Sequence, residues 1–398
     1  MIIADLHIHG SYSRGCSKDL TIPNLEKYAK IKGVNLLGTG DFSHPKWFEH
    51  IKENLQETEK GSGIYQTKTG QRFLLTNEIS LVYSQDGRGR KVHLVILAKN
   101  LDVVKQINEV FARKWRIDYD GRPIFGSSAI DFADLMVNID KDIEIIPAHA
   151  WTPWFGIFGS MSGFDSLEEC FREKTKHIHA IETGMSSDPE MNWRISKLDS
   201  VNLVSFSDAH SFWPWRIGRE ATIFDTEWSY DSILDAIRTR KGLHSTIEVD
   251  PAYGKYHFTG HRNCNICISP KESLKLKNIC PKCGKPFTIG VLQRIEELAD
   301  RPEGFVPENA IPFKKIIPLS ELISKILNAG IATKKVWEVY SRLVREFGSE
   351  MNVLLDADGQ KLKNSVGEKL ADYIIKNRNS QIKIKEGCDG MYGEPLID

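Results

Sequence analysis

The chain has no excess of either charge: 53 Lys and Arg stand against 53 Asp and Glu in 398 residues. Any attraction to a polyanion must therefore come from a local patch and not from the field of the whole molecule. Long apolar runs are also missing. Nothing approaches the roughly 20 consecutive apolar residues of a membrane span, and the amino terminus lacks a basic-then-apolar leader pattern. A cytoplasmic protein with no membrane partner is the expectation. Cysteine is sparse, with seven in all, and four of these fall between Cys264 and Cys283. That crowding argues for a metal site and against a disulfide framework. Cys16, Cys170 and Cys388 are expected to be free thiols.

What is present begins at residue 5. The run Asp5-Leu6-His7-Ile8-His9 follows the apolar start Met1-Ile2-Ile3-Ala4, which reads as a short buried strand. At strand period both imidazoles face the same way where the strand ends, making half of a metal site. Four later apolar runs also end in metal-type residues: Val34 to Asp41, Phe73 to Glu78, Ile143 to His149, and Leu203 to His210. In barrels of alternating strands and helices, the carboxyl ends of the strands converge on one face, and active sites are built there. His93 opens the strand Val92 to Lys99, and a hairpin turning at Asp86-Gly87-Arg88-Gly89 brings it near Glu78. Imidazoles with a bridging acid suit zinc, manganese or iron and not calcium.

Between these strands, Thr21 to Lys32 reads as a helix capped by Thr21, with Pro23 in its first turn. His44, in the loop after Asp41, is a ligand, a substrate contact or an ordinary loop histidine. Trp115, Arg116, Tyr119, Arg122 and Phe125 surround Asp120-Gly121-Arg122-Pro123. Such interleaving suits base stacking and phosphate contact, or a loop pinned down by its aromatics. Trp151, Trp154 and Phe155 follow His149, and Trp213 follows His210, so both groups are expected to rim one cleft. His177 and His179 precede a strand and belong to the opposite end of the barrel. Glu182, at that strand's far end, either supports a ligand or faces substrate. His50 and His244 have no convergent neighbours.

The C-terminal third differs in charge. Residues 255–398 hold 23 Lys and Arg against 18 Asp and Glu, and within 255–285 seven basic residues face the single acid Glu272. Cys264-Asn265-Ile266-Cys267 and Cys280-Pro281-Lys282-Cys283 form two thiolate pairs whose spacing fits one tetrahedral structural zinc. Pro307 and Pro312 mark an extended connection; Pro318 to Leu327, Lys334 to Phe347 and Ser365 to Ile375 read as helices. The last resembles the second half of a helix-hairpin-helix unit, with Gly367 and Lys369 placed to meet a nucleic-acid phosphate; a helical bundle that binds no DNA fits the same residues. The expected division is a metal-dependent barrel over 1–250, a ribbon and helix over 251–305, and a helical domain over 306–398.

The order of the N-terminal motifs resembles the polymerase and histidinol phosphatase (PHP) superfamily. That resemblance implies an α/β fold, a distorted (β/α)7 PHP-type barrel, followed here by the four-cysteine ribbon and the helical domain. It further implies two or three divalent metals (Zn, Mn or Mg) on His7, His9, Asp41, Glu78, His93, His149, Asp208 and His210, with Asp208, Glu78 and His149 catalytic. Many members have His after the acid of the second motif, whereas Phe42 follows Asp41 here. One metal is then expected to have an altered set of ligands.

Over nearly the full length, Asp5 to His9, Gly38 to Phe48, Ser205 to Ser211, Asp250 to His257 and Gly387 to Gly393 resemble the endonuclease Q family of DNA-repair nucleases. The resemblance implies hydrolysis of the phosphodiester 5′ of a deaminated base (uracil, hypoxanthine, xanthine) or an abasic site, leaving 3′-hydroxyl and 5′-phosphate. Double- or single-stranded DNA is then the partner, and association with the nucleoid is expected in a prokaryote. Reaching a damaged base requires extruding it from the stack, and Trp151, Trp154, Phe155 and Trp213 are candidates to hold it, with His44 and Glu182 nearby. A sliding clamp is a further candidate partner, although no segment compels it. A PHP-type small-molecule phosphatase and a non-catalytic DNA-binding protein are the alternatives.

Overall fold

The structure is a computed structural model and describes residues 1–397. Strand β1 (Ile2–Asp5) pairs in parallel with β2 (Leu36–Gly38), and β2 in parallel with β3 (Arg72–Gln85). The alternation then breaks. β4 (Arg88–Ala98) folds back on β3 as a long hairpin, with Ser80 opposite His93, so this strand starts four residues before the expected Val92. β5 (Glu144–Pro147) runs antiparallel to β4 and so regains the direction of β1 to β3. β6 (Ala180–Glu182) and β7 (Asn202–Val204) form a parallel pair.

Backbone bonds join that pair to the rest. Ala150 N donates to Glu182 O at 3.0 Å on one side, and His9 N to Ala209 O at 3.0 Å on the other. The result is a mixed α/β barrel distorted by its hairpin. Outside it, β8 (Ala221–Phe224) lies antiparallel to β1, β9 (Leu243–Glu248) antiparallel to β8, and Phe313–Lys315 parallel to β9.

Helices cover the barrel through apolar faces at helical spacing. Ile22–Lys32 buries Ile22, Leu25 and Ala29, and Leu101–Lys114 buries Val103, Val104, Ile107 and Phe111. Thr21 occupies the expected cap position of the first, but its side chain makes no capping bond; Pro23 sets the start of that helix.

In the C-terminal region, helices Leu319–Ile326, Lys334–Phe347, Glu350–Leu355, Gly359–Val366 and Glu368–Arg378 pack around Leu322, Ile323, Val336, Tyr340, Leu362 and Ile374. The expected single helix from Ser365 is two helices meeting at Gly367, whose φ of 81° admits the sharp turn. A buried ion pair fixes this bundle to the barrel: Lys32 Nζ lies 2.7 Å from Glu350 Oε1, with side chains 1% and 0% exposed. Among the described residues no helix is long and apolar enough to cross a membrane.

Candidate metal centre and its cleft

The carboxyl ends of β1, β5 and β7, with the middle of the β3–β4 hairpin, bring the sequence-predicted residues together. One group is His7, His9, Glu78 and Asp208, and a second is Glu78, His93 and His149; within each, one ligand atom per residue lies within 4.8 Å of the others. Glu78 belongs to both. Its Oε2 faces His7 Nε2 at 3.5 Å and His9 Nε2 at 3.3 Å. Its Oε1 faces His93 Nδ1 at 2.8 Å and His149 Nε2 at 3.2 Å. Each oxygen could thus serve a separate ion, with Glu78 shared between the two.

The outward-facing nitrogens decide which ring atoms are available. His7 Nδ1 sits 3.0 Å from Glu182 Oε1, His9 Nδ1 3.1 Å from Asp41 Oδ1, and His149 Nδ1 2.9 Å from Thr152 Oγ1. Hydrogen bonds at those atoms place the lone pairs on Nε2, toward the centre. His7 Nε2 is buried and has no hydrogen-bond partner, as fits an atom that binds a cation.

Burial opposes charge on His7 and His9, yet the facing carboxylates push both upward, so a divalent ion would bind there by displacing the Nε2 protons. Burial likewise opposes ionisation of Glu78 and Asp208. His93, Arg122 and His7 hold Glu78, and His210, His9 and His7 hold Asp208, well below the carboxylate range. The acids of the centre are thus ionised and ready for divalent ions.

Several expected roles change. Asp41 joins neither group: Oδ1 faces the Nδ1 side of His9, and Oδ2 accepts from Gly10 N at 2.6 Å and Ser13 Oγ at 2.8 Å. It orients His9, and both of its oxygens are engaged by protein groups. His210 also lies outside both groups, its ring 4.3 Å from that of His9 and its Nδ1 3.0 Å from Asp208 O. Glu182 is completely buried behind His7 and His149, so it supports ligands and does not face substrate. His44 is 4% exposed and stacks on Tyr12 at 4.3 Å, away from the cleft. Phe42 is fully buried in the core, so that position offers no ligand.

Asp41, His149 and Asp208 have φ of 49°, 30° and 48°, in the left-handed region. Non-glycine residues are held there only where their surroundings over-determine them. For Asp41 the constraint is visible: the preceding Gly40, φ 61°, passes so close to Ile8 O that a Cβ would sit 2.3 Å from it, and Trp47 Nε1 donates to Gly40 O at 2.9 Å.

Above the centre opens a cleft of about 510 Å³ lined by His93, Arg122, His149, Asp208, His210 and Arg219, with Trp154, Phe155, Lys255, Tyr256 and Tyr392 on its rim. Trp154 meets Tyr256 edge-to-face at 5.5 Å. Two of the four expected aromatics are elsewhere. Trp151 is 1% exposed and donates to Asn192 Oδ1 at 2.8 Å. Trp213 stacks on Trp215 at 5.1 Å and touches Tyr28 and Trp337, wedged between barrel and bundle.

A crystal structure of the lesion-specific endonuclease PfuEndoQ from Pyrococcus furiosus superposes on the whole chain with a TM-score of 0.89 at 33% identity, covering 95% of that protein. This chain belongs to the endonuclease Q family. A second endonuclease Q structure, in complex with a 27-mer duplex substrate carrying an abasic lesion at the active site, also matches at TM-score 0.89 and 33% identity, over 100% of this chain and 96% of that one. The uncharacterized protein YqxK of Bacillus subtilis is 29% identical over 99% of this chain and 98% of its own length. The uncharacterized protein MJ0043 of Methanocaldococcus jannaschii is 33% identical over 252 residues, 62% of this chain, and the chain spans only 31% of that protein's length. Residues 318–381 match the family model of the MJ0043 C-terminal domain.

In this endonuclease Q family member the ribbon also departs from expectation. Cys267 is not in the metal-type group, because its sulfur is bonded to Cys388, which is therefore not a free thiol. The group is His261, Cys264, Cys280 and Cys283. Cys267 sits on strand Ile266–Ile268, paired opposite Gly260 on Thr259–His261, which directs it to the C-terminal loop and leaves His261 facing the cysteines. The signal was in the sequence: His261-Arg262-Asn263-Cys264 repeats the two-residue gap of Cys280-Pro281-Lys282-Cys283. Burial opposes ionisation of Cys280, but hydrogen bonds from His261 and nearby amides bring it down to about 6, which favours the metal-binding thiolate.

The same C-terminal loop completes the cleft. Gly387 N donates to Ala252 O at 2.8 Å, Gly390 N to Lys255 O at 3.0 Å and Gly393 N to Tyr253 O at 3.0 Å. These bonds lay Tyr392 beside Lys255, 4.7 Å from its ring centroid. Tyr256, Tyr392, Lys255 and Arg219 were not singled out from sequence, since nothing local shows that two stretches more than 130 residues apart meet. Gly367 and Lys369 are both exposed at the junction of the last two helices. His179, at the far end of the barrel as expected, pairs with Glu144 at 3.0 Å.

Proposed function

We propose that this chain is a metal-dependent DNA-repair endonuclease that hydrolyses the phosphodiester 5′ of a deaminated base (uracil, hypoxanthine, xanthine) or an abasic site, leaving 3′-hydroxyl and 5′-phosphate. The observation that carries this reading is the Glu78-bridged pair of ligand groups beneath a cationic, aromatic-rimmed cleft. Two divalent ions (Zn, Mn or Mg) held by His7, His9, Glu78 and Asp208 and by Glu78, His93 and His149 would supply an activated water and a neutralising charge. Glu182, Asp41 and Thr152 hold the imidazoles in register for that task. A structural zinc on His261, Cys264, Cys280 and Cys283 would fold the ribbon, since four ligands leave no open position.

Trp154, Phe155, Tyr256 and Tyr392 are the aromatics available to receive an extruded base, replacing Trp151 and Trp213 in that role. Extrusion costs roughly a few kcal/mol and least for mismatched or abasic positions, so stacking on these rings helps select the lesion. Lys255, Arg122 and Arg219 line the cleft and are the cations available to backbone phosphates. The turn at Gly367 and Lys369 offers backbone amides and a cation for a further phosphate contact. We assign hydrolysis to the barrel, cleft completion to the ribbon and C-terminal loop, and duplex contact to the helices, with the nucleoid as the site of action in a prokaryote.

The test is cleavage of duplexes containing uracil, hypoxanthine or an abasic site, with manganese or magnesium, beside an undamaged duplex and an Asp208→Asn control. Cutting confined to damaged duplexes and lost in the control is expected. Equal cutting of undamaged DNA, or hydrolysis of phosphomonoesters alone, would overturn the reading.

A further inference from the structure

Among the described residues, Arg122 is the one Lys or Arg whose side chain is ion-paired to a carboxylate of either ligand group: its Nη1 lies 2.9 Å from Glu78 Oε2, the oxygen turned toward His7 and His9. The side chain is 23% exposed and forms part of the cleft wall. The guanidinium is thus fixed to Glu78 through Nη1 while the side chain lines the cleft.

The loop that presents it is tightly built. Asp120 Oδ1 accepts from Arg122 N at 3.1 Å and from Arg14 N at 3.2 Å. Gly121 N donates to Tyr12 O at 3.1 Å and Ser80 N to Pro123 O at 3.1 Å. Gly121 is pressed onto the ligand-orienting Asp41, where a Cβ would lie 2.3 Å from Oδ2. Ile124–Phe125 then joins β3 in parallel. The Asp120-Gly121-Arg122-Pro123 turn is therefore locked to the same acid and the same strand that organise the centre.

We propose that Arg122 is a catalytic residue that clamps a non-bridging oxygen of the scissile phosphate and stabilises the charge that grows there; this rests on the endonuclease reading. A guanidinium offers five N–H donors in a planar fork, so pairing with Glu78 leaves others for phosphate. In the reaction a water oxygen bonds to phosphorus, the bond from phosphorus to O3′ breaks, and O3′ takes up a proton. Arg122 transfers no proton. Its donors are fixed before the reaction and gain strength as the phosphoryl oxygens gain charge, the condition for selective stabilisation of the transition state. A role limited to neutralising Glu78 would instead make metal retention depend on it.

The experiment compares wild type with Arg122→Met and Arg122→Lys by three readouts: metal content by mass spectrometry, duplex affinity by anisotropy, and single-turnover cleavage of a lesion duplex at saturating protein. The expected result is unchanged metal content, affinity within about threefold, a rate lowered roughly 10²–10³-fold in Arg122→Met, and partial recovery in Arg122→Lys. An unchanged rate, or a rate that falls only in proportion to lost metal, would overturn the proposal. Should Arg122→Met fail to fold, Arg122→Lys decides alone, with a single ammonium expected to leave a rate well below wild type at full metal content. If wild type cuts no lesion duplex, the endonuclease reading itself fails, an outcome distinct from a failure of Arg122.

Discussion

Glu182 offers a direct way to separate the ligands from the residues that aim them. Its carboxylate lies 3.0 and 3.1 Å from His7 Nδ1 through its two oxygens, and Oε2 also accepts from His149 N at 2.5 Å. In Glu182→Gln one oxygen becomes an NH2 with almost no change of volume. If the remaining oxygen faces His149 N, the amide nitrogen donates to His7 Nδ1. The imidazole proton then moves to Nε2, the atom that must bind the ion. If the amide turns over, its NH2 meets the His149 amide donor to donor. Neither orientation preserves the wild-type pattern, and complete burial gives water no way in.

Loss of such a supporting partner typically weakens metal binding by 10- to 100-fold, which is roughly 1.4–2.8 kcal/mol at about 1.4 kcal/mol per tenfold. Competition against a chromophoric chelator at neutral pH measures this without reference to catalysis. The expected result is one weakened site, the His7 site, in a protein whose circular dichroism is unchanged. Affinity within about threefold of wild type at both sites would refute the tautomer argument.

Three further outcomes follow from other parts of the structure. His261→Ala is expected to lose the ribbon zinc, whereas Cys267→Ser retains it; metal analysis showing the reverse would restore the four-cysteine set. Glu350→Gln leaves Lys32 buried with a weaker partner, and removing one member of such a pair costs about 3–5 kcal/mol. Adding Lys32→Met to Glu350→Gln removes the unpaired charge and keeps an acceptor for Leu319 N and Tyr340 Oη, so it should recover part of that in denaturant titrations, and equal damage by the single and double variants would contradict it. Burial raises Glu248 to about 8 against hydrogen bonds from Thr246, Thr183 and Ser205. The folded state therefore binds the proton more tightly than the unfolded chain, and stability falls as pH rises from 4.5 to about 8. Glu220, buried beside Glu248 and likewise raised, shares that decline, so Glu248→Gln should shrink it, its melting temperature gaining on wild type at pH 8 and not below 4.5. A constant difference across the range would show that Glu248 does not titrate there.

The strand-end motifs were legible because each pairs a local apolar run with a chemically unusual ending, and the barrel's geometry then does the gathering. Glu78 and His93 could even be placed together through the turn at Asp86. The orientation of side chains at the ends of strands was not legible. Asp41 ends its motif as a ligand would, but the packing of Gly40 on Ile8 and of Gly121 on Asp41, with hydrogen bonds from Gly10 and Ser13, sets it against His9 Nδ1. Trp151 and Trp213 look equivalent to Trp154 in sequence, yet Asn192 and Phe158 hold the first, and Trp215, Tyr28 and Trp337 the second, away from the cleft. The ribbon shows the reverse problem. The Cys-x-x-Cys spacing at Cys264 was persuasive, but pairing of Gly260 with Cys267 directs that sulfur to the C-terminal loop.

The central claim is that the Glu78-bridged centre cuts DNA at a lesion. End-labelled duplexes carrying a single uracil, hypoxanthine or abasic site, resolved at nucleotide resolution, test it most directly when metal occupancy is measured on the same preparation. The account predicts one product ending in a 3′-hydroxyl immediately 5′ of the lesion, in proportion to metal bound at the centre and absent from Asp208→Asn. Cleavage at any other position, or undiminished cleavage by Asp208→Asn, would contradict it.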